Sequence, residues 1–311
     1  MRARVAAAAV ALALVTACSS SGDTASRDSA PPERTGVDTD GRSGRNDAGT
    51  RAEPATDVER PEQLVAARSA KALARTLTRV ERRLRDPATP ADDVRALGWE
   101  QQLAYRTISN HRAWEPAMVA ALPADVQPVV VSMIEAGRSL APLVEPQEAL
   151  PDWRIEPPPP PEQLVAFYRE AEAASAVPWP YLAAIHFVET RMGRIRGTST
   201  AGAQGPMQFI PETWDAFGEG DVNDNRDAIL AAGRYLASRG APADMSRALY
   251  SYNNSDDYVD SVQRYADLVA AGGEPVYRGL YHWQVYYATT RGLALLPEGY
   301  PTSPAVFLPP A

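Results

Sequence analysis

A run of five prolines, in the stretch RIEPPPPPEQL, divides this chain of 311 residues. Proline lacks a backbone N–H and fixes φ, so neither a helix interior nor a central strand can run through Pro157 to Pro161. Such a run favours polyproline II, which acts as a stiff spacer or as a wrap around a neighbouring surface. We therefore predict two parts, a helical accessory module over residues 59–150 and a second domain over 157–291 that folds without it.

Apolar residues recur at helical spacing in both parts, whereas alternating β-type runs are nearly absent. In the first part this pattern predicts helices over about 64–84, 91–111 and 124–140. In the second part it predicts helices over 162–175, 180–192, 211–217, 227–239, 244–252 and 255–270. The expected fold class is therefore mainly α, and we predict a Pro-rich tail over 292–311 that packs irregularly after Leu296.

The chain begins with a basic stretch, Arg2 and Arg4, followed by an apolar core over 5–15. That core is too short to span a bilayer stably, so we interpret residues 1–17 as a signal peptide. Cys18, the only cysteine of the sequence, follows in Val-Thr-Ala-Cys. This stretch resembles a bacterial lipobox, which implies that Cys18 is lipidated and anchors the chain to a membrane; the alternative is a plain secretory signal with a chance cysteine.

Residues 18–58 consist almost wholly of small, polar and charged residues and proline. They cannot bury enough apolar surface to offset the entropy of ordering, so we predict a disordered tether. The whole sequence has 31 basic and 39 acidic residues, a formal charge of −8 that becomes −10 when Arg2 and Arg4 leave with the signal peptide. This charge gives no global attraction for nucleic acid, and one cysteine excludes internal disulfides and a thiolate metal cluster.

One carboxyl, that of Glu189, lies on the apolar side of the predicted helix 180–192. At 100° per residue Glu189 falls between Ile185 and Leu182. A carboxyl on a buried stripe loses hydration, which raises its pKa, and a general acid near neutral pH requires such a shift. The alternative is a glutamate at the edge of the stripe that reaches solvent or an arginine such as Arg191 or Arg194.

Two patterns invite a metal interpretation. His186 stands three residues before Glu189, but no second histidine is near in sequence, so we expect no metal at this pair. The stretch DVNDNRD, residues 221–227, has the alternating Asp and Asn of a calcium loop. Arg226 occupies the position that needs glycine and Ala232 the position that needs glutamate. We therefore predict a polar loop leading to an N-cap at Asp227, and we expect no cofactor.

A loop with glycines at 193, 197, 202 and 205 follows Glu189, and glycine permits sharp turns and close approach to a ligand. Three stretches in order, VETRMG, TSTAGAQGPMQFIPETW and ALYSYNNSDDYVDSVQRYA, span about residues 161–270 together with their flanks. They resemble the motifs of the lytic murein transglycosylases, particularly those of the membrane-bound type. The resemblance implies an α-helical, lysozyme-like domain with a saccharide groove, and peptidoglycan glycan strands as the partner.

The resemblance also implies roles for single residues. Glu189, in Glu-Thr-Arg-Met-Gly, matches the sole catalytic carboxyl of the family. The implied substrate-binding residues are Ser199, Gln208, Tyr252, Asn253 and Tyr258. Ser199, with Thr200 as a second candidate, is implied to contact an N-acetyl group, and Gln208 to line the groove.

The Tyr-Asn motif of the family matches Tyr252-Asn253, and the resemblance implies that Tyr252 hydrogen-bonds the acid. Tyr258 corresponds to an aromatic residue of the groove. The usual continuation YNAG is replaced here by YNNSD. The rim of the groove after Asn253 is therefore expected to differ from that of the family.

Ordinary glycosidases use two carboxyls that flank the bond, whereas within these motifs only Glu189 lies on a buried stripe. One acid suffices if the substrate supplies the nucleophile, here the C6 hydroxyl of N-acetylmuramic acid, which closes a 1,6-anhydro ring. We predict a lytic transglycosylase anchored by lipid at the outer face of the cytoplasmic membrane, in the cell envelope, or at the outer membrane in a diderm source. Two alternatives remain, a hydrolytic muramidase that uses Asp215 or Asp221 and a non-catalytic glycan-binding lipoprotein.

Overall fold

The structure is a computed structural model that describes residues 64–308. The predicted signal peptide, Cys18 and the predicted tether lie outside the described residues. Over 64–308 the chain forms ten α-helices and five short strands, which confirms the mainly α fold class. Among these helices, none combines the length and the apolar character that crossing a membrane requires.

The first part of the chain forms four helices, α1 (Ala70–Arg85), α2 (Ala91–Asn110), α3 (Glu115–Ala120) and α4 (Gln127–Leu140). Helix α1 begins later than predicted because the Ser69 side chain caps it by accepting a hydrogen bond from the Ala72 amide. Helix α3 was not predicted, since six residues are too few to show a helical period.

The second part forms six helices, α5 (Pro161–Ser175), α6 (Trp179–Thr190), α7 (Pro211–Phe217), α8 (Asn225–Ser238), α9 (Met245–Tyr252) and α10 (Asp256–Tyr281). The predicted N-cap at Asp227 is wrong: Asp224 caps α8 by accepting a hydrogen bond from the Asp227 amide. Helix α10 continues past its predicted end at 270. It kinks at Gly273, which has φ 63° and ψ −156°, and Pro275 lies in the first turn of the segment that follows.

The helices of both parts pack around one hydrophobic core. Helix α10 contacts α4 on one side and α6 on another, and α5 packs against α8. A continuous cluster of buried side chains includes Leu73 and Leu140 from the first part and Phe187 and Tyr265 from the second. The two predicted parts therefore share one hydrophobic core. The division into 59–150 and 157–291, with independent folding of the second part, stays a prediction.

The proline run wraps against the second part of the chain. Before it, β1 (Arg154–Ile155) pairs antiparallel with β2 (Ile195–Arg196). Within it, the Pro159 carbonyl accepts a hydrogen bond of 3.1 Å from the Tyr281 hydroxyl. Helix α5 then starts at Pro161, a position where a missing N–H costs the helix nothing. Of the two roles considered for this run, the structure shows the wrap.

Residues near the C-terminus form a small sheet of three antiparallel strands. Strand β3 (Val285–Thr289) pairs with β4 (Gly292–Leu296), and β4 pairs with β5 (Val306–Phe307). The expectation of irregular packing after Leu296 is therefore wrong for residues 306–307. Most residues of β3 and the last three of β4 are buried, so their sequences lack the alternation that marks a half-exposed strand.

Candidate active site

Helix α6, which carries Glu189, is enclosed on almost every side. Of its residues only Tyr181 is not buried, whereas an amphipathic helix leaves one side in water. Glu189, one residue before the end of the helix, has only 5 % of its surface exposed. It does not pair with the two arginines considered as partners: Arg191 bonds to the Phe187 carbonyl, and Arg194 pairs with Glu298.

Among residues 64–308, one side chain donates a hydrogen bond to the Glu189 carboxyl: the Tyr258 hydroxyl, to Oε1 at 2.7 Å. Burial raises the pKa of Glu189 to about 8, because the charged form loses its hydration, and the Tyr258 bond opposes this by stabilising the charged form. At neutral pH the carboxyl is therefore mostly protonated. It can donate a proton, and once ionised it is basic enough to take one back.

The turn that ends α6 has an unusual backbone. Three consecutive residues, Arg191, Met192 and Gly193, have φ of 54°, 62° and 80°. This left-handed conformation suits glycine but costs other residues about 1–2 kcal/mol each. A β-carbon at Gly193 would lie 2.4 Å from Oδ1 of Asn225, so both backbone and space require glycine there.

Thr190, which the sequence interpretation did not single out, ties this turn to the glycine-rich loop. Its hydroxyl donates to the Pro206 carbonyl at 2.5 Å and accepts from the Gly193 amide at 3.0 Å. The side chain is fully buried. The signal in the sequence was the Ser or Thr position directly after the acid in the family motif.

The glycine-rich loop folds back on itself through short bonds. Ser199 Oγ accepts a hydrogen bond from the Ala203 amide at 3.0 Å, and the Gln208 amide group donates to the Gly205 carbonyl at 2.8 Å. Gln208 itself has a φ of 51°. Both residues predicted to bind substrate are thus held by the loop, which leaves the Ser199 hydroxyl proton and the Gln208 Oε1 atom for other partners.

The structure assigns the tyrosines differently from the resemblance. The expectation that Tyr252 bonds the acid is wrong, because the Tyr252 hydroxyl donates to the Met207 carbonyl at 2.6 Å and Tyr258 occupies the position beside Glu189. The two rings lie nearly parallel, with centroids 6.5 Å apart. Tyr258 is only 2 % exposed, so it lies beneath the surface rather than along an open groove.

Asn253, the other half of the Tyr-Asn pair, follows the last residue of α9. Its amide N–H donates to the Leu249 carbonyl at 3.0 Å and so ends the helix. Its side-chain oxygen is buried, and none of the described residues donates to it. Because buried acceptors are rarely left without a donor, this oxygen marks Asn253 as a candidate ligand-binding residue.

Four further acidic residues near these motifs lie at the surface. Glu212, Asp215, Glu219 and Asp221 are all exposed. In the 221–227 stretch, an Asp221 oxygen accepts from the Asn223 amide and the Asp227 carboxylate accepts from the Asp221 amide. These local bonds to backbone amides are those of a polar loop that leads into α8.

His186 lies one turn before the acid and is fully buried. Its Nδ1 atom is 2.7 Å from the Tyr168 hydroxyl. Burial lowers the pKa of His186 to about 3, so the ring is neutral throughout the physiological range. Its role in the structure is to pack α6 against α5.

These features define a lysozyme-like helical domain with one desolvated acid at the end of a buried helix. Residues 166–270 match the family of the Transglycosylase SLT domain. Over 116 residues the chain is 34 % identical to the membrane-bound lytic murein transglycosylase F of Thiobacillus denitrificans (strain ATCC 25259 / T1), a match that covers 35 % of this chain and 24 % of the relative. No solved structure matches the chain. The family match falls on the part of the chain that carries Glu189, and over that part the chain is similar to lytic transglycosylases.

Proposed function

We propose that this protein is a peptidoglycan lytic transglycosylase that cleaves the β-1,4 bond between N-acetylmuramic acid and N-acetylglucosamine and leaves 1,6-anhydromuramoyl ends. One observation carries the proposal: Glu189 is a buried carboxyl with a pKa of about 8, whereas Asp215 and Asp221, the candidates for a second catalytic carboxyl, are exposed. A single desolvated acid fits a reaction in which the substrate provides its own nucleophile.

In the first step the protonated Glu189 carboxyl donates its proton to the glycosidic oxygen as the bond from muramoyl C1 to that oxygen breaks. N-acetylglucosamine leaves with a new hydroxyl. Positive charge develops at C1, and the carbonyl oxygen of the muramoyl N-acetyl group is placed to stabilise it. The enclosed surroundings of α6 keep the Glu189 carboxyl neutral before the reaction, so the carboxyl has a proton to donate.

In the second step Glu189, now a carboxylate, takes the proton of the muramoyl C6 hydroxyl while O6 bonds to C1. The ring closes, and Glu189 returns to its protonated form without consuming water. Between the steps the Tyr258 hydroxyl stabilises the charged carboxylate through its bond of 2.7 Å. Burial thus serves the acid step and Tyr258 serves the intermediate state.

For substrate binding we propose Ser199, Gln208 and Asn253. The Ser199 hydroxyl proton can be donated to an N-acetyl carbonyl, since its oxygen already accepts from the Ala203 amide. The Gln208 and Asn253 side-chain oxygens can accept from sugar hydroxyl or N-acetyl N–H groups. The hydroxyl protons of Tyr252 and Tyr258 are used within the protein. We therefore propose that Tyr258 acts on the substrate through the charge of Glu189, and that Tyr252 supports the Tyr258 ring and the loop at Met207.

We also propose that lipidated Cys18 anchors the protein at the outer face of the cytoplasmic membrane, or at the outer membrane in a diderm source. The Val-Thr-Ala-Cys stretch after an apolar core supports an anchor. The name of the relative from Thiobacillus denitrificans, which describes that protein as membrane-bound, is in agreement with this. A tether over 18–58 would let the domain reach the glycan strands of the cell wall.

The experiment that tests the activity is mass spectrometry of peptidoglycan digested with the purified protein. The proposal predicts muropeptides with 1,6-anhydro ends, which are about 18 mass units lighter than the corresponding reducing ends because no water is added. Reducing ends would contradict it and identify a hydrolytic muramidase. Undigested peptidoglycan that retains bound protein would contradict it too and identify a glycan-binding lipoprotein.

A further inference from the structure

The strained turn behind Glu189 is held by a buried arginine. Arg191 is only 3 % exposed, and its Nη1 donates to the Phe187 carbonyl at 2.9 Å. The guanidinium carbon lies 4.3 Å from the centroid of the Phe187 ring and 5.9 Å from that of Trp283. No carboxylate among the described residues is an electrostatic partner of Arg191, so the Phe187 carbonyl and the two aromatic faces are what stabilise its charge.

Trp283 connects this arginine to the first part of the chain. Its ring is buried and packs edge-on against Phe187, with centroids 5.4 Å apart. Its indole N–H donates to Gln101 Oε1 in α2 at 2.9 Å. The Gln101 amide group in turn donates to Glu81 Oε1 in α1 at 3.0 Å. A continuous series of contacts therefore runs from α1 and α2 to the turn that follows the acid.

The other end of the series is equally well fixed. Glu81 is buried, and besides Gln101 it accepts a hydrogen bond of 2.5 Å from the Tyr105 hydroxyl and pairs with Arg85 at 3.3 Å. The orientation of the Gln101 amide is determined by these bonds, because its nitrogen faces a carboxylate and its oxygen must face the indole. The Trp283 ring thus has one preferred position beneath Arg191.

We propose that Trp283 is a positioning residue of the active site, through which helices α1 and α2 hold the turn after Glu189 in its left-handed conformation. Non-glycine residues keep such a backbone only where the surroundings determine it. Within the turn, the Arg191 side chain makes buried contacts with its surroundings, and the Trp283 ring is one of those contacts. The first part of the chain, which has no motif of its own, then contributes directly to the transglycosylase activity proposed above, on which this inference rests.

The test compares two neighbouring glutamines of α2. Gln101→Leu breaks the bond to Trp283. Gln102→Leu breaks the two bonds that Gln102 makes with the backbone of Gln284, at 2.9 and 2.7 Å. Both variants weaken the contact between α2 and the same segment, but only Gln101→Leu releases the indole. Trp283→Phe keeps an aromatic ring while it removes the N–H donor.

We expect Gln101→Leu and Trp283→Phe each to lower kcat about 10-fold or more with KM within about twofold, because a misplaced acid affects the reacting state more than binding. The double variant should be little worse than either single variant, since both break one bond. Gln102→Leu should lower the Tm but leave kcat unchanged. If all three variants behave alike, or if kcat follows only the loss of folded protein, the proposal is overturned.

A second readout does not depend on activity. Carbon NMR titration of the Glu189 carboxyl, assigned with Glu189→Gln, should show a lower pKa in Trp283→Phe and Gln101→Leu, because a loosened turn admits water. The titratable groups that face Glu189, Tyr258 and Tyr252, are unchanged in both variants. An unaltered Glu189 pKa in both would contradict the positioning role, whatever products the enzyme forms. Absence of anhydro products alone would contradict only the proposed function.

Discussion

At the scale of single residues, burial and the Tyr258 hydrogen bond shift the pKa of Glu189 in opposite directions. Burial of Glu189 raises its pKa to about 8, and the Tyr258 bond lowers it. The acid must be protonated when the substrate binds, so kcat/KM is expected to fall as the pH rises through about 8. Because one carboxyl has both roles, no second carboxyl should make kcat/KM fall as the pH decreases from about 6 to 4.

The first prediction concerns Tyr258→Phe. Loss of the hydroxyl removes the bond that favours the charged carboxylate, so the Glu189 pKa should rise and the alkaline fall of kcat/KM should move to higher pH. The carboxylate formed between the two steps also loses a charge-assisted bond, so kcat should decrease about 10-fold. The measurement is a pH profile of kcat/KM on isolated glycan strands.

Tyr252→Phe is the matched control for that profile. Its ring lies parallel to that of Tyr258, but its hydroxyl bonds to the Met207 carbonyl and not to the acid. The alkaline fall should therefore stay where it is in the wild type. A shift of equal size in both variants would show that the packing of the rings, rather than the Tyr258 bond, sets the Glu189 pKa.

At the scale of elements, the glycine-rich loop gains its shape from close backbone contacts. A β-carbon at Gly205 would lie 1.9 Å from the Val222 carbonyl oxygen, whereas one at Gly202 would meet nothing within 4 Å. Both glycines have left-handed backbones, with φ of 72° and 85°. The two positions thus differ in the space available for a β-carbon, whereas their backbone conformations are alike.

The second prediction uses this pair. Gly202→Ala should cost about 1 kcal/mol of unfolding free energy, the strain of a left-handed alanine. Gly205→Ala should cost at least about 3 kcal/mol, because the loop must move away from Val222 as well. Urea unfolding of the two variants measures the difference. Equal values would show that the loop adapts freely and does not depend on that contact.

The sequence predicted much of these elements, and its failures have physical causes. Helix α7 was predicted at its observed ends because Pro211 and Gly218 mark them. The choice of Tyr258 over Tyr252 beside the acid could not be predicted, since it depends on how α9 and α10 pack against α6. The hairpin of β3 and β4 was missed because burial on both faces removes the alternation.

At the scale of the whole molecule, the first part of the chain covers one side of α10. Asp260 accepts a hydrogen bond of 2.6 Å from Ser139, and Arg264 pairs with Glu135 at 2.6 Å. Farther along, Gly279 lies against Leu84, and Trp283 bonds to Gln101. The proline run suggested two independent parts, whereas these contacts and the common core lead us to expect that the stability of the second part depends on the first.

The third prediction follows from that dependence. A fragment of residues 151–308 should expose apolar surface that α1, α2 and α4 cover, so it should aggregate or unfold well below the Tm of residues 64–308. Uncovering a side chain as large as Trp283 alone removes about 3 kcal/mol of hydrophobic stabilisation. Thermal unfolding and light scattering of both fragments decide the matter. A monomeric fragment with an unchanged Tm would support the independent folding that the proline run suggested.

The fourth prediction concerns the anchor. Cys18→Ala should release the protein from the membrane fraction or leave its precursor uncleaved, because an acyl chain contributes about 0.8 kcal/mol per buried methylene and a lipidated terminus carries several chains. Fractionation of cells followed by detection of the protein measures this. Cys18→Ser, which keeps the size of the side chain but not the thiol, should behave in the same way. Unchanged membrane association in both variants would contradict the anchor.

The central claim is that Glu189 alone acts as acid and base, and turnover of Glu189→Gln on peptidoglycan tests it most directly. The amide keeps the shape of the side chain but cannot transfer a proton to the leaving oxygen. Activity should therefore fall by about 10⁴-fold or more, the upper end for general acid catalysis, while glycan binding persists. The controls Asp215→Asn and Asp221→Asn should retain most activity and still release anhydro products. Near-normal turnover of Glu189→Gln, or loss of activity in either control, would contradict the account.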